Sequence, residues 1–199
     1  MSDQDSNSKH SVASQQEFVE RLLTKFEAYA GRYPEELAEI ERFRELLAEE
    51  PRCFERDCWR GHITGSAWLV NGAGTHTLLT HHRKLKMWLQ LGGHSDGDPD
   101  TAAVALREAR EESGLTVRLL SDDLFDVDVH PIPARKNDPE HHHYDVRFIM
   151  QVVGPEDFVV SQESLDLAWV PINSLTDYTR EGTILRMRDK YLQHFDPLP

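Results

Sequence analysis

Between Gln16 and Ala30 the apolar residues Phe18, Val19, Leu22, Leu23, Phe26 and Tyr29 recur every three to four positions. That period predicts one amphipathic helix. The segment GRYPEE interrupts it, with Pro34 placed at a helix start, and Leu37, Ile40, Phe43, Leu46 and Leu47 then predict a second helix to about Glu50. Together they make a helical hairpin, whose apolar face must be covered by the chain's own domain or by a second subunit. The expectation leans to a homodimer through these helices.

After Pro51 the period shortens. HITGSAWLVN and THTLLTHH read as strands joined by a turn around Gly72 and Gly74, and WLQL leads into the turn GGHSDG. Further on, LFDVDVH alternates Phe125, Val127 and Val129 against Asp126, Asp128 and His130. HHHYDVRFIMQVV sets Tyr144, Val146, Phe148, Met150 and Val152 on a buried side, with His141, His143, Asp145 and Arg147 opposite. LDLAWV is another strand, and GTILRMRDKYLQHF closes the chain as an amphipathic helix. Several strands, a helix, more strands and a last helix predict the α/β class, with a mixed sheet packed between helices.

The helix between the strands is DPDTAAVALREAREESGL, residues 98 to 115. Asp98 is a favourable N-cap, Pro99 suits the first helical position, Asp100 complements the positive helix end, and Gly114 can take the left-handed conformation that ends the helix. At roughly 100° per residue, Glu108, Glu111 and Glu112 share an arc of about 100°, apart from an apolar stripe of Ala102, Ala105, Leu106 and Ala109. Like charges at this spacing each cost roughly 0.2 to 0.5 kcal/mol, and Arg107 offsets only part of that. Two readings follow: a solvated acidic face, or a site for divalent cations.

Composition narrows the classes. The 199 residues suit one domain with an extension, and such a chain buries roughly 70% of its unfolded surface. A formal charge of −13 argues against a nucleic-acid partner. The two cysteines, Cys53 and Cys58, lack the number and spacing of a zinc site or a disulfide framework, and are expected to be free thiols. The polar start MSDQDSNSKHSVAS reads as a disordered tip over 1–14, and no run reaches the roughly 18 to 20 apolar residues of a membrane span. A cytoplasmic protein without a membrane partner is expected.

The glycine-rich turn before the acidic helix lets backbone groups approach a ligand closely. Gly93, five residues, Pro99, seven residues and then REAREESGL resembles the Nudix box, which runs Gly, five residues, Glu, seven, Arg-Glu, a bulky aliphatic, any residue, Glu-Glu, any residue, Gly, aliphatic. Pro99 stands where the family has its first Glu, and Ala109 is small where a larger aliphatic is usual. The resemblance implies a Nudix-type α/β/α sandwich over 57–199, preceded by a helical extension over 15–56. It also implies metal ligands at Glu108, Glu111 and Glu112, with Arg107 orienting them. SQESLDLAWVP resembles the family segment that ends in Trp-x-Pro, which points to Glu163 as a further ligand or general base.

Oxygen ligands suit Mg²⁺ or Mn²⁺. The implied activity is metal-dependent hydrolysis of the diphosphate in a nucleoside diphosphate linked to a moiety X. Phosphate contacts are expected from His141, His143 and Arg147, from Arg135 and Lys136 in the preceding loop, and from Arg83 and Lys84. One alternative is a nucleotide-binding domain with little or no catalysis, since Pro99 breaks the box. Another is an enzyme similar to the isopentenyl diphosphate isomerases, whose histidine metal ligands His62 and His94 resemble. Those enzymes need a cysteine where this chain has Gly92.

Overall fold

The computed structural model describes residues 3–135, 138–161 and 164–195, with side chains from residue 15. Two helices come first, α1 (Asp3–Arg32) and α2 (Leu37–Glu49), joined by a 3₁₀ turn at Pro34–Glu36. Next come β1 (His62–Val70), β2 (His76–His82), β3 (Trp88–Leu89), β4 (Leu91–His94) and α3 (Thr101–Ser113). The chain then forms β5 (Val117–Leu119), β6 (Asp126–Ile132), β7 (His141–Val152), β8 (Ser164–Pro171), a 3₁₀ segment at Ile172–Asp177 and α4 (Gly182–His194). Every strand expected from alternation forms; β5, too short to show a period, is an addition, and Gly92, Gly93 and His94, read as the start of a turn, instead complete β4 because they pair with Ser66, Gly65 and Thr64 of β1. The backbone of α1 starts at Asp3, upstream of the apolar spacing, so of the stretch read as a disordered tip only residues 1 and 2 lie outside the described chain.

All eight strands belong to one mixed sheet. Its centre is the parallel pair β1–β7, in register from His62 opposite His143 to Val70 opposite Gln151. The remaining pairings are antiparallel: β2 and β4 on β1, β5 and β6 on β7, β3 and β8 on β2. Because β1 and β7 are covered on both faces, their side chains are buried almost throughout. A parallel central pair needs such cover.

One face carries Ile63, Leu69, Val127, Val146, Phe148 and Met150, packed against Phe26 and Tyr29 of α1, Ile40 and Phe43 of α2, and Ala105 of α3. The other carries Trp68, Val70 and Ile149 beneath Ile184, Met187 and Tyr191 of α4. The hairpin's apolar stripe is therefore covered by its own domain, not by a second subunit. The physical reason is that Val127, Val129, Tyr144 and Val146 offer a matching apolar surface within the same chain.

The face opposite the core side chains on β6 and β7 is not solvated, as simple alternation suggests. Arg147, 2% exposed, donates from Nε to Asp145 at 2.7 Å and from Nη1 to Asp126 at 2.8 Å, and its Nη2 lies 3.3 Å from Asp128. Asp126 also accepts from Arg186, at 2.9 and 2.8 Å, and from Lys190 at 2.6 Å, and Lys190 donates to the Tyr29 hydroxyl. Charge is neutralised inside the fold because α4 and α1 bring cations and a phenol over the strand aspartates. This buried network joins the first helix, the last helix and the sheet.

Each of Phe26, Tyr29, Ile40 and Phe43 is fully buried, and burial of a large apolar side chain contributes roughly 1.5 to 3 kcal/mol. Deleting residues 1–50 is therefore expected to leave an insoluble chain or one without a cooperative unfolding transition, whereas deleting 1–14 leaves both the transition and the activity intact. Thermal unfolding followed by circular dichroism checks both. A cooperative, soluble 51–199 fragment would show that the sheet does not need this cover.

Candidate functional site

The acidic helix α3 starts two residues later than its sequence suggests. Asp100, not Asp98, is the N-cap: its carboxylate accepts from the amide of Ala103 at 3.1 Å. Asp98 instead accepts from the Asp100 amide at 3.0 Å, which closes a turn around Pro99 and places the proline before the helix. At the other end Gly114 has φ 71° and donates to the Arg110 carbonyl, the left-handed stop its position predicts.

Helix α3 lies against β1 and β4, and β4 is the glycine-rich strand LGGH. Gly93 faces the helix. A Cβ there would sit 2.4 Å from Oε2 of Glu108, so only glycine lets this carboxylate rest on the strand backbone. Glu112 reaches the same strand one residue earlier, its Oε1 accepting from the Gly92 amide at 3.2 Å. Arg107 binds the His94 carbonyl at 3.0 Å and Oε1 of Glu108 at 3.1 Å, clamping helix to strand. Glu111 is exposed on the outer side of the helix.

Two carboxylates against a backbone rich in carbonyl oxygens form an all-oxygen donor set, of the kind hard divalent cations take. The cradle at Gly93 fits such a group. Glu163 lies outside the described residues, and so does Lys136.

On the opposite face of the sheet the first residues of β1 and β7 bring histidines together. The His62 ring centroid lies 4.7 Å from that of His143, 5.1 Å from His94 and 4.9 Å from His141, and His130 is 5.5 Å from His143. Burial, then the neighbouring His94 and His141, pushes the His62 imidazole down to about 4. Burial, then His62, His94 and His130, pushes His143 down to about 2. Both rings are therefore neutral at pH 7. Further along the same face, Asp145 accepts from Thr64 at 2.9 Å, Ser66 at 2.7 Å and Gln90 at 3.0 Å.

The expected phosphate contacts divide. His141 and His143 join the histidine group. Arg147 does not reach a ligand surface: it is buried, with its guanidinium bound to three aspartates. Arg83 is exposed and donates to the Ser164 carbonyl at 2.8 Å, Lys84 is exposed on the β2–β3 turn, and Arg135 is exposed in a bridge with Asp138. Sequence reasoning missed Gln90, His130 and Asp145 as neighbours of the site. Their only signal was polarity on strand positions that also read as exposed.

Cys53 and Cys58 are free, as expected, and burial raises the Cys53 thiol to about 12, which leaves it unreactive. Among the described residues no helix is long and apolar enough to cross a membrane.

The family model of the NUDIX domain matches residues 62–190. Among solved structures, a NUDIX-family hydrolase from Clostridium perfringens superposes with a TM-score of 0.50 at 24% identity, covering 65% of this chain and 95% of that one. A possible asymmetric diadenosine tetraphosphate hydrolase from Jonesia denitrificans does so with a TM-score of 0.50 at 18% identity, covering 69% and 96%. At these identities the likeness is one of fold. Curated proteins give no match. The mixed sheet between helices, the acidic helix docked on a Gly-Gly strand and a family match over most of the chain lead to one conclusion: the chain belongs to the Nudix family, as a hydrolase acting on diphosphate bonds.

Proposed function

We propose that this Nudix hydrolase is a metal-dependent pyrophosphohydrolase that cleaves a nucleoside diphosphate linked to a further moiety. The observation that carries the reading is the Glu108 carboxylate held in the Gly93 cradle, with Glu112 on the adjacent Gly92 amide. Glu108, Glu111 and Glu112, with Glu163, are the residues that would hold Mg²⁺ or Mn²⁺. Such an ion, when bound, neutralises diphosphate charge and acidifies water.

The chain's own groups supply the rest. Arg107 fixes Glu108 against the strand and keeps its carboxylate aimed. Glu111, exposed on the same helix, can turn toward a cation at the end of the cradle without repacking the core. Glu163, next to the start of β8, is the candidate for taking the proton of the attacking water. His141, Arg135, Lys136, Arg83 and Lys84 remain candidates for steering an anionic substrate.

A panel of dinucleoside polyphosphates, nucleotide sugars and nucleoside triphosphates, with products identified by mass spectrometry, tests the reading. Hydrolysis is expected only with added Mg²⁺ or Mn²⁺, and to rise toward alkaline pH because the attacking water must lose a proton. Full turnover in excess chelator would overturn the metal dependence. Tight nucleotide binding without turnover on every substrate would make this a binding domain.

A further inference from the structure

The histidine group is more than a polar end to the sheet. One ring nitrogen from each of His62, His94 and His143 lies within 4.8 Å of the others. Three different strands supply them, and sheet pairing fixes where they stand. His62 is the register partner of His143 across the parallel pair, and His94 is opposite Thr64, two positions along the same face of β1. Strands hold such groups more firmly than loops do.

The orientation of His62 is informative. Its Nδ1 faces the Cys58 carbonyl at 3.4 Å, which sets that nitrogen as the N–H donor. Nε2 is left as a bare lone pair. The residue is 1% exposed, and Nε2 has no hydrogen-bond partner. A buried polar atom without a partner costs roughly 1 to 3 kcal/mol, so its retention calls for an electron-pair acceptor. A carbonyl on one ring nitrogen and a lone pair on the other is the arrangement that metal-binding imidazoles use.

We propose that His62, His94 and His143 hold a borderline divalent cation of the Zn²⁺ or Co²⁺ type, at a site separate from the glutamates of α3. Imidazole nitrogens favour such ions over Mg²⁺. Three protein ligands leave a position open for water or for a substrate oxygen. Zn–N bonds of about 2.0 to 2.1 Å bring tetrahedral ligand nitrogens to roughly 3.4 Å apart, so the three nitrogens must close by no more than about 1.4 Å, within reach of small side-chain rotations. The two sites are distinct because side chains alternate across a strand: Gly93 faces Glu108, so His94 next to it points to the other side of β4. His141 and His130 flank the ligands, held at Nδ1 by the Pro139 carbonyl at 2.8 Å and by Asp128 at 2.9 Å.

The test is Co²⁺ titration of the chelator-treated full chain without Mg²⁺, read by visible absorption, with Zn²⁺ binding measured by calorimetry. Expected are about one tight ion per chain and the strong d–d bands of low-coordinate Co²⁺. His94→Gln and His143→Gln should each weaken binding at least about tenfold. These two residues are half-buried, so the variants should remain folded, as circular dichroism would verify. The double variant Glu108→Gln with Glu112→Gln should bind Co²⁺ within about twofold of the natural chain, because its ligand set is intact. The proposal is overturned if Co²⁺ shows only weak six-coordinate bands, or if the glutamate variant loses the ion while the histidine variants keep it. Neither result bears on Mg²⁺-dependent hydrolysis, which is measured separately.

Discussion

Replacing Glu108 or Glu112 with Gln is expected to lower kcat by on the order of 10² or more, the loss typical of removing one preorganised electrostatic group. Glutamine keeps the size of the side chain and can still meet the Gly92 amide or the Gly93 cradle, so thermal stability should barely move. The chemistry loses a charge while the packing keeps its shape. Steady-state kinetics on the best substrate of the panel, with Mg²⁺ saturating, separates the two. If Glu111 is recruited by the cation, the same change there brings a similar loss despite its exposure. Drops below threefold at all three positions would assign the acidic side of α3 to solvent alone.

Arg147→Met is expected to destabilise the protein by about 3 to 5 kcal/mol, because truncating one partner of a buried ion cluster strands the others. The stranded groups are Asp126, Asp128 and Asp145, none more than 14% exposed in its side chain. Arg186 and Lys190 still face Asp126, but among the described residues Arg147 is the one Lys or Arg paired with Asp145. Urea unfolding at pH 7 measures the loss.

The pH dependence follows from the same groups. Burial alone would raise the Asp126 carboxyl, yet the Arg186 hydrogen bond and the charges of Arg147, Arg186 and Lys190 hold it below the usual range. Asp128 and Asp145 are lowered too, against their burial, chiefly by the His130 hydrogen bond and the Arg147 charge for Asp128, and by Arg147 for Asp145. A carboxyl more acidic in the folded state contributes stability that is complete above its unfolded value, near 4, and is lost as pH falls through the folded value. The natural chain should thus hold its unfolding midpoint down to about pH 5 and weaken below it. Arg147→Met should begin to weaken at higher pH.

The carboxylate site was legible because its spacing is local. Glu108, Glu111, Glu112 and Arg107 sit within one helix, and the glycines against which Glu108 and Glu112 rest are fifteen and twenty residues upstream of them. The hairpin was legible as helices, but not its partner: apolar stripes say that cover is needed, not from where. Arg147 and the aspartates of β6 and β7 misled for a related reason. Charges alternating with apolar residues look like a wetted face, and the cations that neutralise them come from α4, some 60 residues later. The histidines were visible singly, and only the parallel pairing of β1 with β7 puts His62 beside His143.

That parallel pairing also governs how the chain can assemble. β1 and β7 join residues about eighty positions apart, and Lys190 meets Tyr29 across 161 positions. Closing such long loops precedes any reward from the contacts, so the central pair belongs to a slow-folding topology. During synthesis the ribosome delivers α1 and α2 first, while Val127, Val129, Tyr144 and Val146, which cover their apolar side, arrive some eighty residues later. At roughly 5 to 20 residues per second, the nascent hairpin waits several seconds with Phe26, Tyr29 and Phe43 uncovered, an interval in which chaperones have a surface to hold.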